Sequence, residues 1–450
     1  MKVHGLSDEN FFEEFSLSKA ANRHSVCKFK QRLADENFSV YQNAVGKTIS
    51  VALDGGRKIF FGEVTEVSIE QNFGGSRVEV TAVSSSLKSD EIAETRIFQS
   101  PVKTFGEVLN SSRLKLKNCS IELDEKISSR PCPEIVLQNA ETAFEFVKRL
   151  AARQGQRVWI RDTWQGKSSL KISACSDETP EKISAKEIIR LKIGRRGKIR
   201  TAGLVATKYV ELGRVLTVGN VPEKFLIVGL EIFLEHGIDR IRYELEEFAE
   251  LEPAEICAEP PVKLKARVVD VKDDKNFGRI RVQFEIEDKD ADKARLPYRP
   301  PCNGIIFLPE VGDSVEVFFA NGECYVATTL RAKALDEPFR NVADKYLINR
   351  EQQIFFREKS LEFKSAETSI FMDEKKIVLS VGKNKIVLDE RGITLQTGGA
   401  IMTEAAKDFL TKIGGQVALN ASGNVALNGS KFEVTANGVA AIKAETVKLG

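Results

Sequence analysis

The sequence predicts a mainly β chain, built from small barrels and ending in a fibrous repeat. Three observations predict it. Alternating apolar and polar residues broken by glycine turns run through the first hundred residues and return from Val262 to Leu330. One clear helical stripe interrupts them, formed by Ala143, Phe146, Val147, Leu150 and Ala151 at i, i+3, i+4, i+7 and i+8. Five near-copies of a tetrapeptide then close the chain: Lys376-Ile-Val-Leu379, Lys385-Ile-Val-Leu388, Gly392-Ile-Thr-Leu395, Gln416-Val-Ala-Leu419 and Asn424-Val-Ala-Leu427.

The leucines of these copies lie 9, 7, 24 and 8 residues apart, so the steps sum to multiples of eight with one self-correcting slip. Short strands at a fixed period are the pattern of a β-solenoid or fibrous β-helix, in which each repeat buries its apolar face only by stacking on neighbours. Each unit offers two or three apolar side chains, many of them only Val or Ala, too few for one chain to enclose a core. Residues 347–450 are therefore expected to be one third of an intertwined trimeric β-helix. Gly382, Gly392, Gly414 and Gly415 fall at its turns, and Leu379, Leu388, Leu395, Leu419 and Leu427 on its apolar face.

At 450 residues the chain is too long for a single core. Charged residues are 29%, hydrophobic ones 42%, and the net charge is +2, which disfavours bulk nucleic-acid binding. The N-terminal ten residues lack the apolar stretch of a signal peptide, and no run of 18 apolar residues exists, so synthesis in the cytoplasm is expected. The seven cysteines are scattered and never spaced C-x-x-C, the pattern of reduced, mostly buried thiols.

In order, residues 1–100 read as a first barrel. A strand over 26–33 is followed by one over 47–53, and Asp54-Gly55-Gly56 and Asn72-Phe-Gly74-Gly75 supply hairpin turns, the second leading to Val78, Val80 and Ala82 on one face. Residues 101–156 are a mixed segment whose helix runs over 140–154, with Asn139 as N-cap and Gly155 as stop. A second barrel sharing that helix is expected over 157–250, with strands at 157–161, 169–173, 204–212, 225–233 and 239–247. A Pro-, Ala- and Glu-rich linker (251–261) leads to an OB-type barrel over 262–332, whose core is expected to hold Phe284, Phe307 and Phe319. A second linker (333–346) precedes the repeat.

Within that barrel, Asn276-Phe-Gly278-Arg279-Ile-Arg-Val-Gln-Phe284, then Leu296-Pro-Tyr-Arg299, then Pro309-Glu-Val-Gly312-Asp313-Ser-Val-Glu-Val-Phe-Phe319, resemble the OB domain of VgrG-type and phage baseplate central-spike proteins. The order hub, OB barrel, repeat is also that family's. The last barrel strand, Cys324 to Leu330, departs from it in lacking a proline- and glycine-bearing form, and the repeat is interrupted between Leu395 and Gln416, a gap of three octads that three degenerate strands are expected to fill, with a loop or a short helix over 402–413 as the alternatives. The resemblance implies a homotrimeric structural spike of a contractile injection machine. It would join the tail tube to a puncturing tip, contact tail-tube and baseplate proteins, carry a PAAR-like tip protein at its C-terminal end and possible effector cargo, and meet the target-cell membrane on firing.

No catalytic, cofactor or metal residue is expected. His4, His24 and His236 lie far apart without any H-E-x-x-H or H-x-H pattern, and His24 reads as a solvated loop residue. The basic stretch 192–200 lacks a following helix, so it reads as a solvated loop or a subunit interface rather than a phosphate cradle. Two alternatives differ in class. A β-solenoid acting on carbohydrate would need wider coils and a carboxylate constellation, and an OB-fold nucleic-acid binder would need exposed stacking aromatics on a basic face.

Overall fold

The computed structural model describes the chain apart from residues 7–10, 74, 100–103, 112–113, 134, 165–166, 176, 249–260, 276–277, 287–292, 300–307, 321–322, 331–343 and 449–450. It divides into Met1–Lys333 and Ala334–Gly450. Both linkers lie largely outside the described residues, as does Phe307.

The first unit opens with β1 (Lys2–His4), β2 (Phe12–Ala20), β3 (Val26–Leu33), a short α1 (Phe38–Gln42), β4 (Thr48–Ala52), β5 (Lys58–Asn72) and β6 (Gly75–Ser84). Period-two alternation sets the faces: Cys27, Phe29 and Leu33 of β3 and Val78, Val80 and Ala82 of β6 are buried together.

The second barrel is not a separate body. β12 (Asp177–Ile183), β13 (Ile188–Arg196), β14 (Ile199–Ala206), β15 (Arg214–Val218), β16 (Lys224–Glu235) and β17 (Ile238–Glu247) continue the same sheet. Its order is β1-β4-β5-β6-β3-β2-β16-β17-β14-β13, with β15 beside β16 and β12 beside β15. The joint is β2 on β16, where Ser16 to Ala20 pair antiparallel with Phe233 to Gly229. Each half covers an edge that the other would otherwise leave open, and one core holding Leu17, Phe29, Val80, Leu226, Ile232 and Tyr243 runs through both. The basic stretch is the hairpin between β13 and β14 rather than a loop: Arg196 pairs with Ile199 across a two-residue turn, and Arg196 reaches Glu246 at 2.7 Å.

Between the halves lies the insertion: β7 (Glu94–Gln99), α2 (Phe105–Leu109), β8 (Cys119–Leu123), α3 (Glu125–Ser128), β9 (Ile135–Glu141), α4 (Ala143–Arg153), β10 (Arg157–Trp164) and β11 (Lys167–Ser173). The strands expected to open the second barrel at 157–173 instead form a β10-β11-β8 sheet, and α4 packs its Phe146, Val147, Leu150 and Ala151 into a core with Val158, Ile160, Leu170 and Ile172. α4 is capped by Thr142, not Asn139. Asn139 still belongs to β9, whereas the Thr142 hydroxyl accepts from the Glu145 N–H and the Glu145 carboxylate accepts from the Thr142 N–H.

The OB barrel has the sheet order β20-β19-β18-β21-β22, from β18 (Val262–Asp270), β19 (Arg279–Phe284), β20 (Arg295–Pro297), β21 (Ser314–Ala320) and β22 (Glu323–Leu330). Its two end strands close on each other through a Tyr298–Val326 bridge, with the Arg299 N–H donating to Val326 O at 3.0 Å. Phe284 and Phe319 are buried in it, as their alternation requires. Ile97 and Ile135 of the insertion join the same core, so barrel and hub share packing.

Candidate functional site

Three places carry the residues singled out above: the barrel turns, the buried polar seam of the hub, and the repeat.

In the barrel, Gly278 has φ +67, and the next residue, Arg279, clasps Asp273 with both its guanidinium (Nη2–Oδ1 2.9 Å) and its backbone N–H (3.1 Å). This side-chain bond, the largest cause, holds the Asp273 carboxyl well below the usual range. The second turn, Glu310-Val-Gly-Asp313, docks on β18. Asp313 N–H donates to Glu310 O, the Asp313 carboxylate accepts back from the Glu310 N–H, Gly312 N–H donates to Val268 O and Val268 N–H to Asp313 O. Gly312 sits at φ +98, the third position of a turn that needs left-handed backbone. An added Cβ there would meet nothing within 4 Å. Gly312→Ala is therefore expected to cost about 1–2 kcal/mol through the backbone alone, read as a lowered thermal midpoint with the fold retained.

The hub seam contains chemistry that spacing did not show. Ser86 Oγ lies 2.7 Å from His24 Nδ1, and His24 Nε2 lies 3.1 Å from Asp90 Oδ2, the hydroxyl–imidazole–carboxylate order of a hydrolase triad. The surroundings make it a structural tie. Ser86 is fully buried and its Oγ also contacts Ser84 Oγ at 2.6 Å, while the other Asp90 oxygen accepts from Thr142, the α4 cap. The imidazole packs tilted against Phe144, centroids 4.2 Å apart, and burial pushes its pKa down. A nucleophile needs an open approach, which Ser86 lacks. His24 is thus a packed network residue, not a solvated one.

Beside it, Asp162 of β10 is wholly buried. It accepts from Ser25 and Ser168 and stands 3.8 Å from the buried Lys19 Nζ of β2, which in turn lies 3.6 Å from Glu211, between β14 and β15. Burial raises the Asp162 pKa, and Lys19 opposes it. One charge cluster therefore pins three parts of the chain together. Its members are more than a hundred residues apart at the extremes, so only the fold assembles them.

The repeat is longer and more regular than its tetrapeptides suggest. It begins at β23 (Lys345–Asn349) and continues through β24 (Gln352–Arg357), β25 (Ser360–Ser365), β26 (Thr368–Asp373), β27 (Lys376–Val381), β28 (Asn384–Asp389) and β29 (Gly392–Gln396), a seven-stranded antiparallel meander whose strands from β24 onward start every eight residues. Pairing explains the slip in the leucine spacing. Leu379 lies opposite Ile386, and Ile386 opposite Leu395, whereas Leu388 lies opposite Ile377 and Ile393. The two rows reflect at each hairpin, so steps of seven and nine alternate. One row runs Leu347, Ile354, Phe363, Ile370, Leu379, Ile386, Leu395 across all seven strands. The other completes an apolar face with Phe356, Leu361, Met372, Ile377, Leu388 and Ile393. That face is uncovered: Leu379 is 37% and Ile393 72% exposed. Gly382 opens one of the turns at φ +56, and Gly392 begins β29 at φ +127.

Beyond β29 the pairing stops but the period does not. Residues 397–448 adopt neither helix nor strand, yet the chain bends at 398–399, 406–407, 414–415, 422–423, 429–430, 437–438 and 445. Gly414 and Gly415 occupy one such bend, and neither the degenerate strands expected between Leu395 and Gln416 nor the helix considered for 402–413 forms, because no strand of the same chain lies alongside to pair with them. Leu419 and Leu427 lie exposed between bends. No backbone–backbone hydrogen bond is made within this stretch among the described residues.

Comparison with known proteins bears on these features. Residues 264–332 match the family of the type VI secretion system/phage-baseplate injector OB domain. The barrel is of the injector type. No curated protein matches the chain. Among solved structures, the E. coli c3393 protein, a component of the type VI secretion system with structural similarity to the T4 bacteriophage tail proteins gp27 and gp5, is 14% identical. The match covers 73% of this chain and 99% of that one, at a TM-score of 0.54. A chain of the half-lidded Francisella PdpA–VgrG complex is 10% identical over 85% of this chain and 83% of that one, also at 0.54. The likeness is one of fold, and it takes in the hub as well as the injector barrel. In that setting the Gly312-Asp313 turn belongs to the injector barrel, and the octad sheet follows it in sequence.

Proposed function

We propose that this chain is the central spike of a contractile injection machine: a hub, an injector OB barrel and a piercing needle, acting mechanically and as a homotrimer. The observation that carries the reading is the change within the repeat. A sheet with an uncovered apolar face gives way to a stretch that keeps its eight-residue bends yet makes no backbone–backbone hydrogen bond among the described residues. Backbone N–H and C=O groups demand partners, and a partner matching an eight-residue pitch over this length is another copy of the same chain. Winding three copies would pair every strand and remove free edges, and such a fibre unfolds slowly. Tail-tube and baseplate proteins are the partners at the hub, and a PAAR-like protein is the partner at the needle tip, with effector cargo as a possible passenger. No residue is assigned a catalytic role. The particle would assemble in the cytoplasm of the producing cell and be driven outward against a target membrane.

Light scattering on the full chain tests this. A trimer of three times the 50.0 kDa chain mass, resistant to SDS at room temperature, is expected. A monomer at micromolar concentration would overturn the proposal.

A further inference from the structure

The two edges of the seven-stranded sheet differ in a way that its apolar face does not explain. The turns on one edge are Glu358-Lys359, Glu374-Lys375 and Glu390-Arg391, so from β24 down to β29 the turn residues of that edge alternate negative and positive, beside the strand-end charges Arg357, Asp373, Lys376 and Asp389. The turns on the other edge are Arg350-Glu351, Ala366-Glu367 and Gly382-Lys383, presented from β23 to β28. Their first residues all take left-handed backbone, φ +53, +50 and +56. All twelve residues are exposed. Two of the alternating turns are drawn tight by an aspartate: Asp373 accepts from the Lys375 and Lys376 N–H groups, and Asp389 from the Arg391 N–H. Charges on this edge are therefore held at fixed levels about 4.8 Å apart, the spacing of paired strands.

Three such sheets that turn their apolar faces inward enclose a prism, and each corner brings the alternating edge of one copy against the other edge of the next. This is a head-to-tail contact that closes at three. Closure keeps the copies at one height, so a shift between facing edges comes from the inclination of the strands, and the charges discriminate between these matchings. With none, Glu358 meets Glu351 and Glu374 meets Glu367, like against like, and only Glu390 meets an opposite charge in Lys383. Shifted by one strand in one sense, Lys359 meets Glu367 but Lys375 meets Lys383. Shifted in the other sense, Glu358 meets Arg350, Lys359 meets Glu351 and Lys375 meets Glu367. The one clash of that arrangement, Arg391 with Lys383, is blunted because Arg391 is already paired with Asp389 in its own chain at 2.8 Å.

We propose that the three copies stand at one height around the axis with their strands inclined by one strand spacing across each face, so that each turn residue faces the residue eight positions earlier in the next copy, and that this charge seam sets the register of the needle. The inference rests on the homotrimer proposed above and adds its corner contacts. The seam also works against misregistration, because a slide by one strand inverts the sign met at every level of the alternating edge.

Charge exchange at Lys375 and Glu367 tests it in the full chain. Lys375→Glu and Glu367→Lys are each expected to speed SDS-induced dissociation of the trimer about tenfold at low salt, since each places a like pair at three corners. The double exchange should return the rate to near wild type, and added salt should shrink the difference. A trimer in which the double exchange is as weak as the worse single variant would overturn the seam and leave the trimer standing. So would one in which Glu367→Lys or Glu374→Lys alone slows dissociation relative to the wild type, the sign expected where Glu374 rather than Lys375 faces Glu367. A monomeric wild type would overturn both.

Discussion

Replacing Leu379 and Ile386 together by aspartate is expected to leave the chain monomeric in light scattering and to abolish SDS resistance. The two face each other on the uncovered apolar row of the repeat, in adjacent strands. Burying each is worth roughly 2 kcal/mol, so six such side chains in a trimer represent on the order of 10 kcal/mol before the cost of burying six carboxylates is added. Val387→Thr, on the opposite face of the same strand, is the control and should leave the trimer intact. Persistence of the trimer in the double aspartate variant would show that this face is not the one buried between copies.

The second large effect lies in the hub. Asp162→Ala removes the wholly buried carboxylate that faces Lys19, and a buried ammonium that loses its partner is costly to keep. A loss of about 3 kcal/mol is expected, the low end for breaking such a pair, because Glu211 still stands 3.6 Å from Lys19 Nζ. The readout is the chemical-denaturation midpoint of the hub. Pairing Asp162→Ala with Lys19→Met should recover much of the loss, since no unpartnered charge then remains. If the single variant is as stable as wild type, the cluster does not hold the half-barrels and the insertion together.

Much of the injector barrel was legible before the fold was known, because its strands alternate cleanly and its glycines mark turns. Phe284 and Phe319 could be placed in the core by parity alone. The α4 cap was legible but misread: Thr142 and Glu145 carry the capping-box spacing, while Asn139, three residues earlier, still serves β9. The repeat was legible from 347 onward, but its early strands carry no copy of the tetrapeptide because Phe356, Phe363 and Met372 replace the leucine and isoleucine of later units, although their spacing is the same. The His24–Ser86–Asp90 and Lys19–Asp162–Glu211 contacts had no sequence signal, since each residue type is common and none is spaced by a motif.

The sequence by itself determined whatever depends on neighbours along the chain: strand parity, turn positions, the helical stripe and the eight-residue period that implies a fibre. Only the tertiary structure decided what depends on partners far along the chain. Here that means the fusion of two expected barrels through β2 and β16, the buried charges that tie them, and the point after Gln396 at which the repeat stops pairing with itself. A strand's own residues fix which of its faces is apolar, but not which other strand will satisfy its edge, and at that edge the two kinds of information divide.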